Sequence, residues 1–76
     1  MNNTIGWVTK KPKFNKECLV ICASKFIDTW EYSLYQIKWI GSGNDLYLGW
    51  LTIDGEEYGD LNDMKAEKYL VIDLLK

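Results

Sequence analysis

The sequence predicts a small α+β domain: an antiparallel β-meander of three or four strands with one C-terminal helix packed on one face. Three observations carry that prediction. Residues 17–23, ECLVICA, form a continuous apolar run of strand length. Two aromatic-rich runs flank the hinge GSGND at 41–45. In the last segment, 61–76, Ala66, Leu70 and Leu74 recur at helical spacing.

The elements follow in order. Trp7 and Val8 suit a short edge strand. Pro12 and the lysines around it make a loop, because proline cannot donate to a β-ladder. The first full strand is Glu17 to Ala23, and SKFIDT at 24–29 reads as a connection. The second strand runs from Trp30 to Ile40. Its apolar phase switches midway, from Trp30, Tyr32 and Leu34 to Tyr35, Ile37 and Trp39. Such a switch implies a bulge, or a strand covered on both faces. Gly41, Gly43 and Asn44-Asp45 supply positive φ cheaply, so a hairpin follows. The third strand is Asp45 to Ile53, and Gly49 within it leaves room for Trp50 or a neighbouring aromatic to lie over it. Asp54-Gly55 signals a type I′ turn, after which EEYGD pairs back as a short fourth strand. For the last segment, Asn62 or Asp60 caps a helix and Asp63 suits its first turn. YLVI at 69–72 would also make a strand, and the helix is the preferred reading over 62–75.

Seventy-six residues form a single domain, 1–76. Hydrophobic residues make up 47% and aromatics 14%, rich enough for so short a chain to bury a core unaided. The N-terminal stretch has no long apolar core of a signal peptide, and no run approaches the ~20 apolar residues of a membrane span. A cytoplasmic protein without membrane contact is therefore expected. Cys18 and Cys22, four apart on one strand face, would sit roughly 13 Å from each other, too far for a disulfide. They read as buried thiols of a reducing compartment. Charge is uneven: residues 1–44 carry six Lys against three acids, and residues 45–76 three Lys against eight acids.

Composition argues against catalysis. The chain has no histidine, which removes the commonest general base. The cysteines sit in an apolar run that keeps thiols protonated, and Ser24, Ser33 and Ser42 lack a nucleophile-elbow context. Two cysteines without histidine do not supply the four ligands of a zinc site. An EF-hand register starting at Asp54 fails at Tyr58 and at Lys65, where a bidentate glutamate belongs. No phosphate-binding glycine motif is present, so no cofactor is expected.

What remains is binding. Trp30, Tyr32, Tyr35, Trp39, Tyr47 and Trp50 lie in the two aromatic strands. Most are expected to serve the core, and the remainder to form an exposed interaction surface. The primary expectation is a protein–protein interaction module, for another protein or for a second copy. Two alternatives stand beside it. Lys10, Lys11, Lys13 and Lys16 around Phe14 form a basic patch that, with sheet aromatics, would suit single-stranded nucleic acid. The acidic stretch 54–67 would suit an inhibitor of a basic protein.

Trp7-Val8, Pro12 and the strand Leu19-Val20-Ile21 together resemble the opening of a family of short bacterial and phage proteins of unknown function. There a Trp-Ile pair precedes a proline and a Val-Leu-Val-type strand. The resemblance covers the first third of the chain. It implies a phage or mobile-element background and no catalytic residues.

Overall fold

The computed structural model of the chain describes residues 6–72. Five strands form one antiparallel sheet: β1 Cys18–Phe26, β2 Thr29–Ile40, β3 Tyr47–Thr52, β4 Glu57–Asp60 and β5 Lys68–Ile72. Their order across the sheet is β4-β3-β2-β1-β5. The first four strands form the expected meander, and the chain then crosses to the far side to pair with β1. Two 3-10 turns interrupt the path, at Gly43–Asp45 and Leu61–Asp63.

The α+β expectation is corrected here: no α-helix exists among the described residues, and the architecture is all-β. Of the two expected helix caps, Asn62 lies inside a 3-10 turn and Asp60 caps only that turn. Asp60 accepts from the Asn62 backbone N–H and starts a single 3-10 turn, which ends at Met64 in extended conformation. Lys68–Ile72 then pairs with β1, placing Val71 against Val20 and Tyr69 against Cys22. The reason is the apolar β1. Left as an edge, it would present a row of unpaired backbone groups on an apolar strand. Pairing with β5 satisfies them and places apolar side chains on both faces, which one helical stripe does not do. The part of the helix prediction that falls on 73–76 lies outside the described residues.

Smaller expectations are also corrected. Residues 24–26 belong to β1, so the connection shrinks to Ile27-Asp28. β2 carries no bulge, since its register with β1 and β3 is continuous. Among the described residues the register shifts between β3 and β4, where Trp50 faces Gly59 and Leu51 faces Glu57, leaving Tyr58 as the extra residue. The β3–β4 turn is not type I′. Asp54 has no positive φ; Gly55 alone does, at 95°, with its N–H on the Thr52 carbonyl. That is a three-residue loop closed by a glycine. Over Gly49 lies the Ile40 side chain, not an aromatic, with the Gly59 carbonyl 3.0 Å from where a Cβ would stand.

Directly paired residues share a face, so the register sorts the side chains. One face carries Cys18, Val20, Cys22, Tyr35, Ile37, Leu48, Trp50, Tyr69 and Val71. Two irregular segments lie over it as a lid. Residues 9–17 contribute Phe14, and residues 61–67 contribute Leu61, Met64 and Ala66. Ile37, Met64 and Val20 are the largest side chains fully removed from water. The Lys11 ammonium donates to the Leu61 carbonyl at 2.7 Å and ties the two lid segments together.

Candidate interaction surface

The second face is built from the alternate residues of the same strands. Leu19 and Ile21 of β1, Leu34 of β2, Leu51 of β3, and Leu70 and Ile72 of β5 adjoin through the register. Leu19, Ile21, Leu51, Leu70 and Ile72 are half-buried, and the residues of both lid segments that pack on the core lie on the other face. Tyr32, 57% exposed, and Leu34, 41% exposed, continue the surface toward the β1–β2 turn. Gln36 interrupts it, its amide donating to the Thr52 carbonyl at 2.9 Å. This geometry explains the phase switch in β2. Toward Ile40 the lidded face is apolar; toward Thr29 that face turns polar with Ser33 and Glu31, and the apolar side chains move to the open face.

At the margin of the open face stands an aromatic and cationic cluster. Val8 bridges to Tyr69 through two backbone hydrogen bonds of 2.9 and 2.8 Å, extending the sheet past β5. That bridge brings Trp7 to 5.9 Å from Tyr32. The Lys68 ammonium sits over two indoles, 4.2 Å from the Trp30 centroid and 5.0 Å from Trp7. A lysine ammonium is attracted to the ring quadrupole in this way.

The six aromatics singled out from sequence are therefore divided. Trp30, Tyr32 and Tyr47 belong to the open face by register. Tyr35, Trp39 and Trp50 belong to the lidded face. Tyr35 and Trp50 pack edge to face at 4.8 Å, and the bulge aims Tyr58 at both, 4.9 Å from Trp50 and 5.5 Å from Tyr35. The Trp50 Nε1 is buried there with no acceptor. Trp39 stays half exposed at the end of its strand, its backbone N–H donating to the Glu17 carboxylate.

The basic patch lies elsewhere. Lys10, Lys11, Lys13 and Lys16 belong to the lid segment whose Phe14 packs on the core, so they sit across the sheet from Trp30 and Tyr32. Sequence reasoning missed the aliphatic residues of the open face and Trp7. The signal was present: ECLVICA and YLVI read as strands apolar on both sides, and so short a chain has only enough lid for one.

The chemistry available is limited. Ser24, Ser33, Glu31 and Lys65 line a cleft of about 150 Å³ on the lidded face, with Cys22 beside them. Both cysteines are buried thiols, outside any disulfide. Burial pushes the Cys22 thiol up to about 11, against a smaller downward pull from Lys11. The thiol is therefore protonated near neutral pH and a poor nucleophile. Among the described residues no three potential metal ligands cluster. Two outcomes follow for Cys22. Alkylation in the native state at pH 8 is expected to be slow, and fast once the chain is unfolded in urea. Stability is expected to fall between pH 9 and about 11, since the unfolded chain releases this proton first. Rapid native alkylation, or unchanged stability in Cys22→Ala relative to wild type across that window, would contradict the assignment.

No family model, no curated protein and no solved structure matches the chain, and the surface is read from its own geometry.

Proposed function

We infer that the chain is a non-catalytic docking domain that binds another protein through the open face of its sheet. The observation that carries this reading is the adjacency of Leu19, Ile21, Leu70 and Ile72, each half-buried, with exposed Leu34 and Tyr32 on one face of the sheet. An apolar patch of this kind, rimmed by polar residues, marks an interaction site. Tyr32, Trp30 and Trp7 supply the aromatic anchors that dominate binding energy at such sites. Lys25 and Lys68 beside them favour a partner that is apolar at its centre and acidic at that margin.

A photo-crosslinking side chain at position 32, introduced in the native host, tests the reading. It is expected to give a discrete adduct, whereas the same side chain at position 44, on the β2–β3 turn, gives none. Adding Leu34→Lys is expected to remove the adduct. No adduct at 32, or one that survives Leu34→Lys, would refute docking through this face.

The nucleic-acid reading draws less support, because the lysines of 10–16 lie across the sheet from Tyr32 and share their side with a single exposed aromatic of β2, Trp39. The acids of 54–63 run along the β4 edge and the turn that follows, where the exposed aromatic is Tyr58, at 51% against 57% for Tyr32, and Glu67 lies apart, its backbone N–H on the Ala23 carbonyl. Neither arrangement converges groups on one partner as the open face does.

A further inference from the structure

The β1–β2 hairpin extends beyond the sheet. Pairing of β1 with β5 stops at Ala23, and pairing of β2 with β3 stops at Tyr35. Residues 24–31 are thus a two-stranded arm, about 10 Å long at ~3.3 Å per residue beyond Ala23. Its tip is Phe26-Ile27-Asp28-Thr29. Ile27 and Phe26 are the two most exposed large apolar residues described, at 80% and 64%.

The tip is also strained. Ile27 has φ 59°, the only positive value outside glycine among the described residues. A β-branched side chain in that region is a steric outlier. Ile27 occupies the first central position of a two-residue hairpin turn, where a positive φ there alone calls for glycine. The chain therefore holds a bulky apolar side chain out in water, on a backbone that disfavours it. Folding alone gains nothing from this, and strain of that sort collects at sites that grip a ligand.

A receptor of matching character lies at the other end of β1. Pro12, Phe14, Cys18 and Val71 bound a pocket of about 200 Å³, with Lys13 and Lys16 at its rim. That is below the roughly 300–1,000 Å³ of small-molecule sites and suits one or two side chains. Eight residues of strand separate Phe26 from Cys18, roughly 26 Å, so the tip does not reach its own pocket. The balance of charge leans the same way: the arm 24–31 carries Asp28 and Glu31 against Lys25, a net negative charge, and Lys13 stands at the pocket rim, which favours approach in this orientation.

We propose that copies of the chain associate head to tail, the Phe26–Ile27 tip of one entering the Pro12/Phe14 pocket of the next. This contact is separate from the open face. It is heterologous, so it adds copies one by one unless the rotation closes a ring. A contact this small is weak, with self-association expected between about 10 µM and 1 mM.

Light scattering and sedimentation of the full chain test it. The wild type is expected to rise in mean mass across that range. A tip variant, Phe26→Thr/Ile27→Gly, and a pocket variant, Lys13→Glu/Asn15→Trp, are each expected to stay at 8.9 kDa. Mixed, they complement: the intact pocket of the first accepts the intact tip of the second, and mass stops at a one-to-one pair. Ile27→Gly alone is expected to raise Tm by about 4–8 °C as the turn relaxes, while weakening association at least tenfold. A monomeric wild type at 1 mM overturns the proposal, as does a mixture that fails to pair. An unchanged or lowered Tm in Ile27→Gly removes the strain argument. Leu34→Lys separates this contact from docking through the open face: it is expected to associate as the wild type does. Loss of association in that variant alone would assign the contact to the open face, overturning the head-to-tail arrangement and leaving the docking reading standing.

Discussion

Ile37→Ala is expected to remove about 2–5 kcal/mol of stability, the range for deleting a large aliphatic side chain from a packed interior. A domain of this length has on the order of 4–11 kcal/mol in total, so the variant would be close to unfolded at 37 °C. The size of the effect follows from position. Ile37 is fully buried at the crossing of the lid and the three central strands, paired with Cys18 on one side and Trp50 on the other. Cys18, Val20, Met64 and Tyr69 belong to the same cluster, and no described neighbour is free to fill the void. Urea unfolding followed by the emission of the four tryptophans measures it. Leu34→Ala, three residues away on the open face, is the control. Partly exposed already, Leu34 is expected to cost less than half as much. An equal loss at the two positions would mean that the open face is covered and that the division into lidded and open faces is wrong.

The second large effect is expected at Gly41. Its φ is +99°, and a Cβ placed there would stand 2.5 Å from the Asp45 carbonyl oxygen. That oxygen is backbone, held by the 3-10 turn in which the Asp45 N–H donates to Ser42 at 2.9 Å, so it has no rotamer by which to retreat. The dihedral alone costs on the order of 1–3 kcal/mol for a residue with a side chain. The close contact adds to that, and relief requires opening the β2–β3 connection. Gly43, two residues on, has φ +59° with open space around it. Gly43→Ala should lose only about 1–2 kcal/mol, the cost of one left-handed residue. Chemical denaturation of the two variants side by side decides the matter. Equal losses, or a larger one at Gly43, would contradict the turn geometry.

Much of the strand pattern was legible. Alternation in 30–40 and 45–53, with glycines between, identified the β2–β3 hairpin to within a few residues. Asp54-Gly55 marked the next turn, though glycine alone, not the Asp-Gly pair, takes the positive φ. The phase switch at Leu34-Tyr35 was visible but misread. A change in which face is covered leaves the same trace in sequence as a bulge. The segment 61–72 was ambiguous for a related reason. Asp60 caps whatever helical turn follows, and Ala66, Leu70 and Tyr69 fit a helix as well as a strand over so few residues.

The candidate surfaces were less legible. Six aromatics were visible as a group, yet strand register sends Trp30, Tyr32 and Tyr47 one way and Tyr35, Trp39 and Trp50 the other. Which of them the lid covers depends on where it falls, and the lid is made by residues 9–17 and 61–67, far from the aromatics in sequence; even then Trp39 on the lidded face stays 49% exposed, while Trp30 on the other is half-buried. Ile27 carried no signal at all. Its conformation runs against the preference of its own side chain, and a reading based on preferences passes over such a residue.

The amino-acid sequence by itself determined the local features: strand-period alternation, glycine turns, two thiols in an apolar run, and a composition without histidine. Those depend on residues within a few positions of one another. The tertiary structure decided that Lys68–Ile72 is a strand, that one sheet face is lidded and the other open, and that the tip and the Phe14 pocket lie at opposite ends of β1. Each of these rests on contacts between distant segments, such as Val20 with Val71. A ladder partner or a lid satisfies backbone groups and buries area on a scale that local propensity, a few tenths of a kcal/mol per residue, does not outweigh.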